Sequence, residues 1–290
     1  MEVIDRIIVS LIYFNAHVRD TLEYTLERET YDVKAYEQRK RVLSNELKVE
    51  SPLKVFLSRQ GENGEKTIQE INQFVDDFYS DSSTVIRNAS DGLRVDHAQN
   101  LKIIESTIKL HENINSIIRL HVNYAAQHNI KHEVVDKLAI EDERFYRAVA
   151  LLTLSREMFR QFQEYNKVRR ESKGEKTPQS NFIENDLRTL NSLFFTVKNN
   201  ATCKDSVYTS ACDDLLFAIE MMNGRRDLPS GKNFGDVFND TSRAIADFIR
   251  DSEGKWREYY TPAVNELIAD SKAQQEARAN ATNTQNPENK

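Results

Sequence analysis

A chain of 290 residues, 39% hydrophobic and 30% charged, holds enough apolar matter for a sizeable core and is too apolar for wholesale disorder. Its 8 glycines in 290 residues, under 3%, fall far below the roughly 7% of average proteins, which argues against hairpin-rich β folds and doubly wound α/β folds, whose turns and phosphate loops need positive φ. With 40 Lys+Arg against 46 Asp+Glu the net charge is −6, so the chain lacks the global field that draws polyanions, and 2 cysteines are too few for a disulfide framework.

Residues 2–29 read as a first helix with Ile4, Ile8, Leu11, Ile12 and Val18 inward. The run Ile7–Phe14 does not read as a signal peptide, since acidic Glu2 and Asp5 stand where positive charge is expected and no small-residue cleavage site follows. No stretch is apolar enough to span a membrane, so a cytoplasmic location is the default expectation. A second, more polar helix is expected over 32–49. Ser51-Pro52 restarts a short helix through about Ser58, 60–66 is a loop on composition, and 67–90 is a further helix closed by Asp91-Gly92.

The strongest periodicity starts at Leu101. One row, Leu101, Ile104, Ile108, His111, Asn115, Ile118, Val122 and Ala125, follows the 3,4 spacing of a buried seam. A second row, Ile103, Leu110, Ile114, Ile117, His121, Tyr124 and His128, lies beside it. Together they predict a bundle helix from Asp96, its N-cap, to about residue 127, whose second row asks for a partner surface. After a break near Asn129, residues 141–171 resume with Phe145, Val149, Leu152, Met158 and Phe162.

Residues 173–180 are a polar, breaker-bearing stretch that contains Thr177-Pro178, a cap followed by proline at the first helical position. Helices follow over about 178–199, 205–222 and 234–277, the last restarting or kinking at Thr261-Pro262. No strand pattern survives, so the fold class is all-α, a multi-helix bundle of long amphipathic helices. The loop divides it into an N-terminal bundle, 1–172, and a C-terminal one, 177–278, with 279–290 as a disordered tail; a single continuous bundle is the alternative.

Three groups of residues offer chemistry. His121, His128 and His132 stand at i, i+7 and i+11, and the last two have the spacing with which imidazoles of one helix hold a metal. Against this reading, no Glu-x-x-His pair occurs and Asn129 interrupts the set. Lys167, Arg169 and Arg170 form the basic cluster for nucleic-acid contact. Glu164 and Glu171 interleave with them in the pattern of a solvated helix face, so a nucleic acid is the less favoured partner. Trp256, Tyr259 and Tyr260 offer aromatic anchors for another chain. Phosphate-loop and nucleophile-elbow motifs are absent, and no resident cofactor is implied. The favoured expectation is a non-enzymatic helical interaction or scaffold protein that binds a protein partner or a second copy of itself. A metal-dependent enzyme and a nucleic-acid binder are the alternatives.

Overall fold

A computed structural model describes residues 3–24, 97–129, 133–202 and 204–284, with single positions at 41, 66, 69–70, 72–73, 76–77 and 80. Among these residues the chain is all-α and has no strand. Six helices follow one another: α1 (Val3–Tyr24), α2 (His97–Gln127), α3 (Glu133–Glu171), α4 (Pro178–Asn199), α5 (Ser206–Met222) and α6 (Phe234–Thr284). The helices expected over 32–49, 51–58 and 67–90 lie outside the described residues, apart from the isolated helical positions among them.

Sequence patterning accounts for most of these boundaries. The α4 start is a capping box: Ser180 N–H donates to Thr177 Oγ1 at 3.1 Å, and Thr177 N–H donates to Ser180 Oγ at 2.9 Å, with Pro178 at the first helical position. Asp205 caps α5 by accepting the Val207 N–H at 2.8 Å. Asn129 adopts φ 57 just beyond α2, the left-handed turn that ends the helix there.

Three boundaries differ from expectation. α3 begins at Glu133 rather than near 141, since Glu133 and Asp136 suit its positive N-terminal end and Val135 and Leu138 are buried. α6 runs through Pro262, where the missing N–H is compensated by burial of Ala263, Val264 and Leu267 immediately after it. The helix also continues through Thr284, into the segment expected to be disordered from 279, as an extension of the strong helix formers at 273–278, with Ala279 and Ala281 the only favourable residues beyond them. Positions 285–290 lie outside the described residues.

α3, 39 residues and about 58 Å long at 1.5 Å per residue, is the axis of the assembly. It packs most extensively against α6 and α4, and also against α1, α2 and α5. Every residue from Asp142 to Ser155 is buried, so over this stretch the helix is enclosed on all sides. α6 runs antiparallel to it, as Asp142 meets Trp256, Arg144 meets Asp251 and Phe159 meets Phe238. One hydrophobic cluster draws on all six helices, with a smaller one around Ala218, Met221, Val237 and Phe238.

Both apolar rows of α2 are covered within the chain up to His121, while the end of the second row, at Tyr124 and His128, emerges towards the surface. Ile103, Leu110, Ile114 and Ile117 are buried alongside Ile104, Ile108 and Ile118, so the second row is satisfied here rather than waiting for another protein.

Candidate functional site

The buried stretch of α3 is not uniformly apolar, and its charges are matched from neighbouring helices. Arg19 of α1, only 1% exposed, lies between the rings of Phe145 and Trp256, 4.0 and 4.2 Å from their centroids. Its guanidinium donates to Asp142 Oδ1 at 3.2 Å, and Trp256 Nε1 donates to the same oxygen at 2.8 Å. Burial raises the Asp142 carboxyl above its usual range, against the opposing pull of Arg19 and of hydrogen bonds from Trp256 and Asn15. One layer away, Asn15 Nδ2 donates to Asn115 Oδ1 at 3.3 Å.

A second network centres on Arg147, which forks onto both carboxylate oxygens of Glu112 and also donates to the carbonyls of Val197 and Asn200 at 3.0 and 3.2 Å. Asn200 Nδ2 completes Glu112 at 3.1 Å. Glu143 accepts from Thr202 N–H at 2.8 Å and from Arg119 at 3.1 Å, while Arg144 donates to Asp205 and Asp251. The segment between α4 and α5 is therefore clamped to α3 by three successive charged residues of one face. Burial pulls the Arg147 guanidinium towards neutrality, but Glu112, Tyr146 and Glu143 together outweigh it and the charge stays.

Beside this network the His111 imidazole stacks on Tyr146, with centroids 3.2 Å apart. Burial, with Arg147 and Arg19 nearby, drives the imidazole well below its ordinary pKa, and burial lifts the Tyr146 phenol well above its own. Both rings are neutral at pH 7. The network is thus a set of paired or neutral groups, buried around Arg19, Asp142, His111, Tyr146 and Arg147 and reaching the surface at Asn200 and Asp251, and its chemistry is that of fixing helices in place.

The sequence-predicted residues fall into different environments. His121 faces the core, fully buried, where desolvation pushes its pKa down to about 4; His128 is exposed at the end of α2, stacked on Tyr124 with Nδ1 2.9 Å from the Tyr124 carbonyl. His132 lies outside the described residues, and among those described no three His, Cys, Asp or Glu side chains are placed to share a metal ion. Trp256, expected as an anchor for another chain, is instead a core residue holding Asp142, with Tyr260 stacked on it at 3.9 Å. Tyr259 is half-buried, 5.9 Å from Lys137 Nζ. Cys212 is a buried free thiol whose pKa burial raises; Cys203 lies outside the described residues.

The basic cluster fares differently. α3 ends in a turn at Lys173 and Gly174, with φ of 53° and 88°, and α4 returns antiparallel along its last turns. Between the two helices lies a groove of about 740 Å³ lined by Arg160, Lys167 and Arg170 from α3 and by Gln179, Phe182 and Ile183 from α4. Two of the three predicted basic residues therefore share a surface, while Arg169 does not line it. Glu164 and Asp186 also line the groove, and Arg160 is held by Glu157 at 2.6 Å. Phe182 stands 58% exposed at its edge. Sequence reasoning missed Phe182 because its prominence depends on the antiparallel return of α4; its only local signal is an apolar residue beside Ile183 in a polar first turn.

No protein-family model, curated protein or solved structure matches the chain. Among the described residues, no helix is long and apolar enough to cross a membrane. The geometry of the groove and of the interior network is therefore what supports a functional reading.

Proposed function

We propose that the chain is a helical interaction protein that binds a polypeptide partner, or a second copy of itself, along the α3–α4 ridge. The observation that supports this is Phe182, a large aromatic ring left 58% exposed at the edge of a groove that Arg160, Lys167 and Arg170 line on the opposite wall. Exposed aromatic side chains next to arginine are the usual composition of contact hot spots. The clamped interior supplies the rigid backing such a surface needs, since preorganisation lowers the cost of association.

The test is site-specific photo-cross-linking in the native host. A benzophenone side chain at position 182 is expected to give a discrete adduct that the same group at Leu228, also exposed but on the loop after α5, does not give. Equal labelling from the two positions, or none from 182, overturns the reading. A second reading is favoured by one observation only, that Lys167 and Arg170 share the groove with Arg160 and Phe182. A single-stranded nucleic acid held there would bind with an affinity that falls steeply with added salt, and absence of binding at low salt would remove it.

A further inference from the structure

The other flank of α4 carries a second pocket, about 440 Å³, where α4 meets the middle of α3 and the end of α5. Its floor is Met158 and Ile219, both buried, and its walls are the half-buried Phe162, Leu187 and Met222. This volume lies in the range of about 300–1,000 Å³ typical of ligand sites, and two methionines give the walls adaptable shape.

Two polar groups in the pocket lack what they need. Asn191 Oδ1 is buried with no hydrogen-bond partner, a costly arrangement for an amide oxygen. Arg225 has no ion pair among the described residues, whereas the neighbouring arginines are engaged, Arg188 with Glu184 at 2.7 Å and Arg226 with Glu220 at 2.5 Å. The position of Arg225 is fixed by the helix end. Gly224 takes φ 66, its N–H donates to the Met221 carbonyl, and the Arg225 N–H donates to the Glu220 carbonyl at 2.8 Å. These bonds also occupy the last carbonyls of α5, so the helix end repels an incoming anion less than a bare terminus would.

A ligand that satisfies the pocket needs an apolar group for the floor, a neutral N–H for Asn191 and an anion for Arg225. The last residue of a polypeptide has all three on adjacent atoms: side chain, amide N–H and α-carboxylate. A free amino acid fits less well. Its ammonium would sit beside Arg188 and Arg225, and the nearby Glu184 already receives Arg188 and, at 3.4 Å, Lys176. We propose that this pocket captures the C-terminal carboxylate and final apolar side chain of a polypeptide, with Arg225 pairing the carboxylate in the forked geometry guanidinium favours. The inference goes beyond the ridge reading and stands apart from it, because neither Phe182 nor the basic groove takes part.

The test uses the full purified chain and a fluorescein-labelled synthetic peptide ending in leucine, followed by fluorescence anisotropy. The free-acid peptide is expected to bind saturably, and its C-terminal amide about tenfold or more weaker, the loss that goes with one charge-assisted contact. R225Q is expected to weaken the free acid by a similar factor and R225K by less, with circular dichroism and melting unchanged because Arg225 is exposed. Equal binding of acid and amide, wild-type binding by R225Q, competition by free leucine as effective as by unlabelled peptide, or no binding at all would each overturn the proposal. None of these outcomes bears on the cross-linking experiment at position 182.

Discussion

The two halves of α3 solve opposite problems with the same backbone. From Asp142 to Ser155 the helix is enclosed on every side, although it carries Asp142, Glu143, Arg144 and Arg147 there. From Met158 to Glu171 it is amphipathic, burying Met158, Gln161 and Val168 while Arg160, Lys167 and Arg170 face a groove. In the first half each charge is fixed by a partner from another helix. In the second half Arg160 and Lys167 pair with neighbours one turn away on the same helix, Glu157 and Glu164, and Arg170 donates to the Asn166 carbonyl. Charges whose partners come from distant helices set the packing, whereas those paired within one turn leave the surface open to exchange partners.

The sharpest way to break this contrast is to remove one partner on each side. D142A leaves Arg19 buried between two rings without its carboxylate, and should cost about 3–5 kcal/mol. E164A, which removes a neighbour of Lys167 4.0 Å away, should change stability by less than about 0.5 kcal/mol. Urea denaturation of the two variants measures both. Replacing Arg19 and Asp142 together with methionine and leucine should recover most of the loss, because the cost arises from the unpaired charge rather than from a missing bond.

Acid should act on the enclosed region next. His121 is buried neutral with a folded pKa of about 4, against 6.5 unfolded. Between those values the unfolded chain binds more protons, so stability falls as pH drops from about 6.5 to about 4, by about 3 kcal/mol, and this group adds nothing further below that. His111, lowered well below 6.5 by burial, works in the same direction, while Asp142, raised by burial, opposes both at the acid end. Subtracting the pH profile of H121L from that of the native chain isolates the share of His121. A difference that is flat between pH 4 and 6.5 would show that this histidine is solvated in the folded state.

How much of this was legible in the sequence depends on the range of the interaction. His111, Asn115 and His121 sit in the 3,4-spaced rows of α2, and all three are buried, because periodicity is a local property of one helix. Asp142 and Arg147 were not foreseen as buried, since a charge in a single sequence reads as surface. The pairing of Asp142 with Arg19 spans 123 residues and has no local trace. A weaker signal existed in α1, where Asn15 and Arg19 stand four apart inside an otherwise apolar stretch. Lys167 and Arg170 were visible as a basic cluster, but the groove that joins them to Phe182 exists only once α4 has folded back. Trp256 resembles a contact anchor in the sequence for the same reason: its partner Asp142 is remote in the chain.

The turn that makes this fold-back is itself open to a smaller perturbation. T177A removes one side of the capping box and should cost about 1 kcal/mol in thermal or urea unfolding. S180A removes the reciprocal bond to Thr177 N–H and should cost no more than that. If the two losses add fully in the double variant, the bonds act independently; a shortfall shows that they form one cooperative cap.

The smallest expected effect on stability belongs to the residue with the largest expected effect on association. F182S removes a ring that is mostly in water, so the folded state should change by less than about 0.5 kcal/mol. Were the ring only an accidental surface hydrophobe, nothing else should change either. As a contact anchor its loss should abolish binding of the partner at the α3–α4 ridge even though unfolding curves superimpose, whereas the same truncation at a buried ring, F194S, should lower stability first. Measuring unfolding and association on both variants therefore separates a ridge whose aromatic ring serves a partner from one whose ring is merely tolerated.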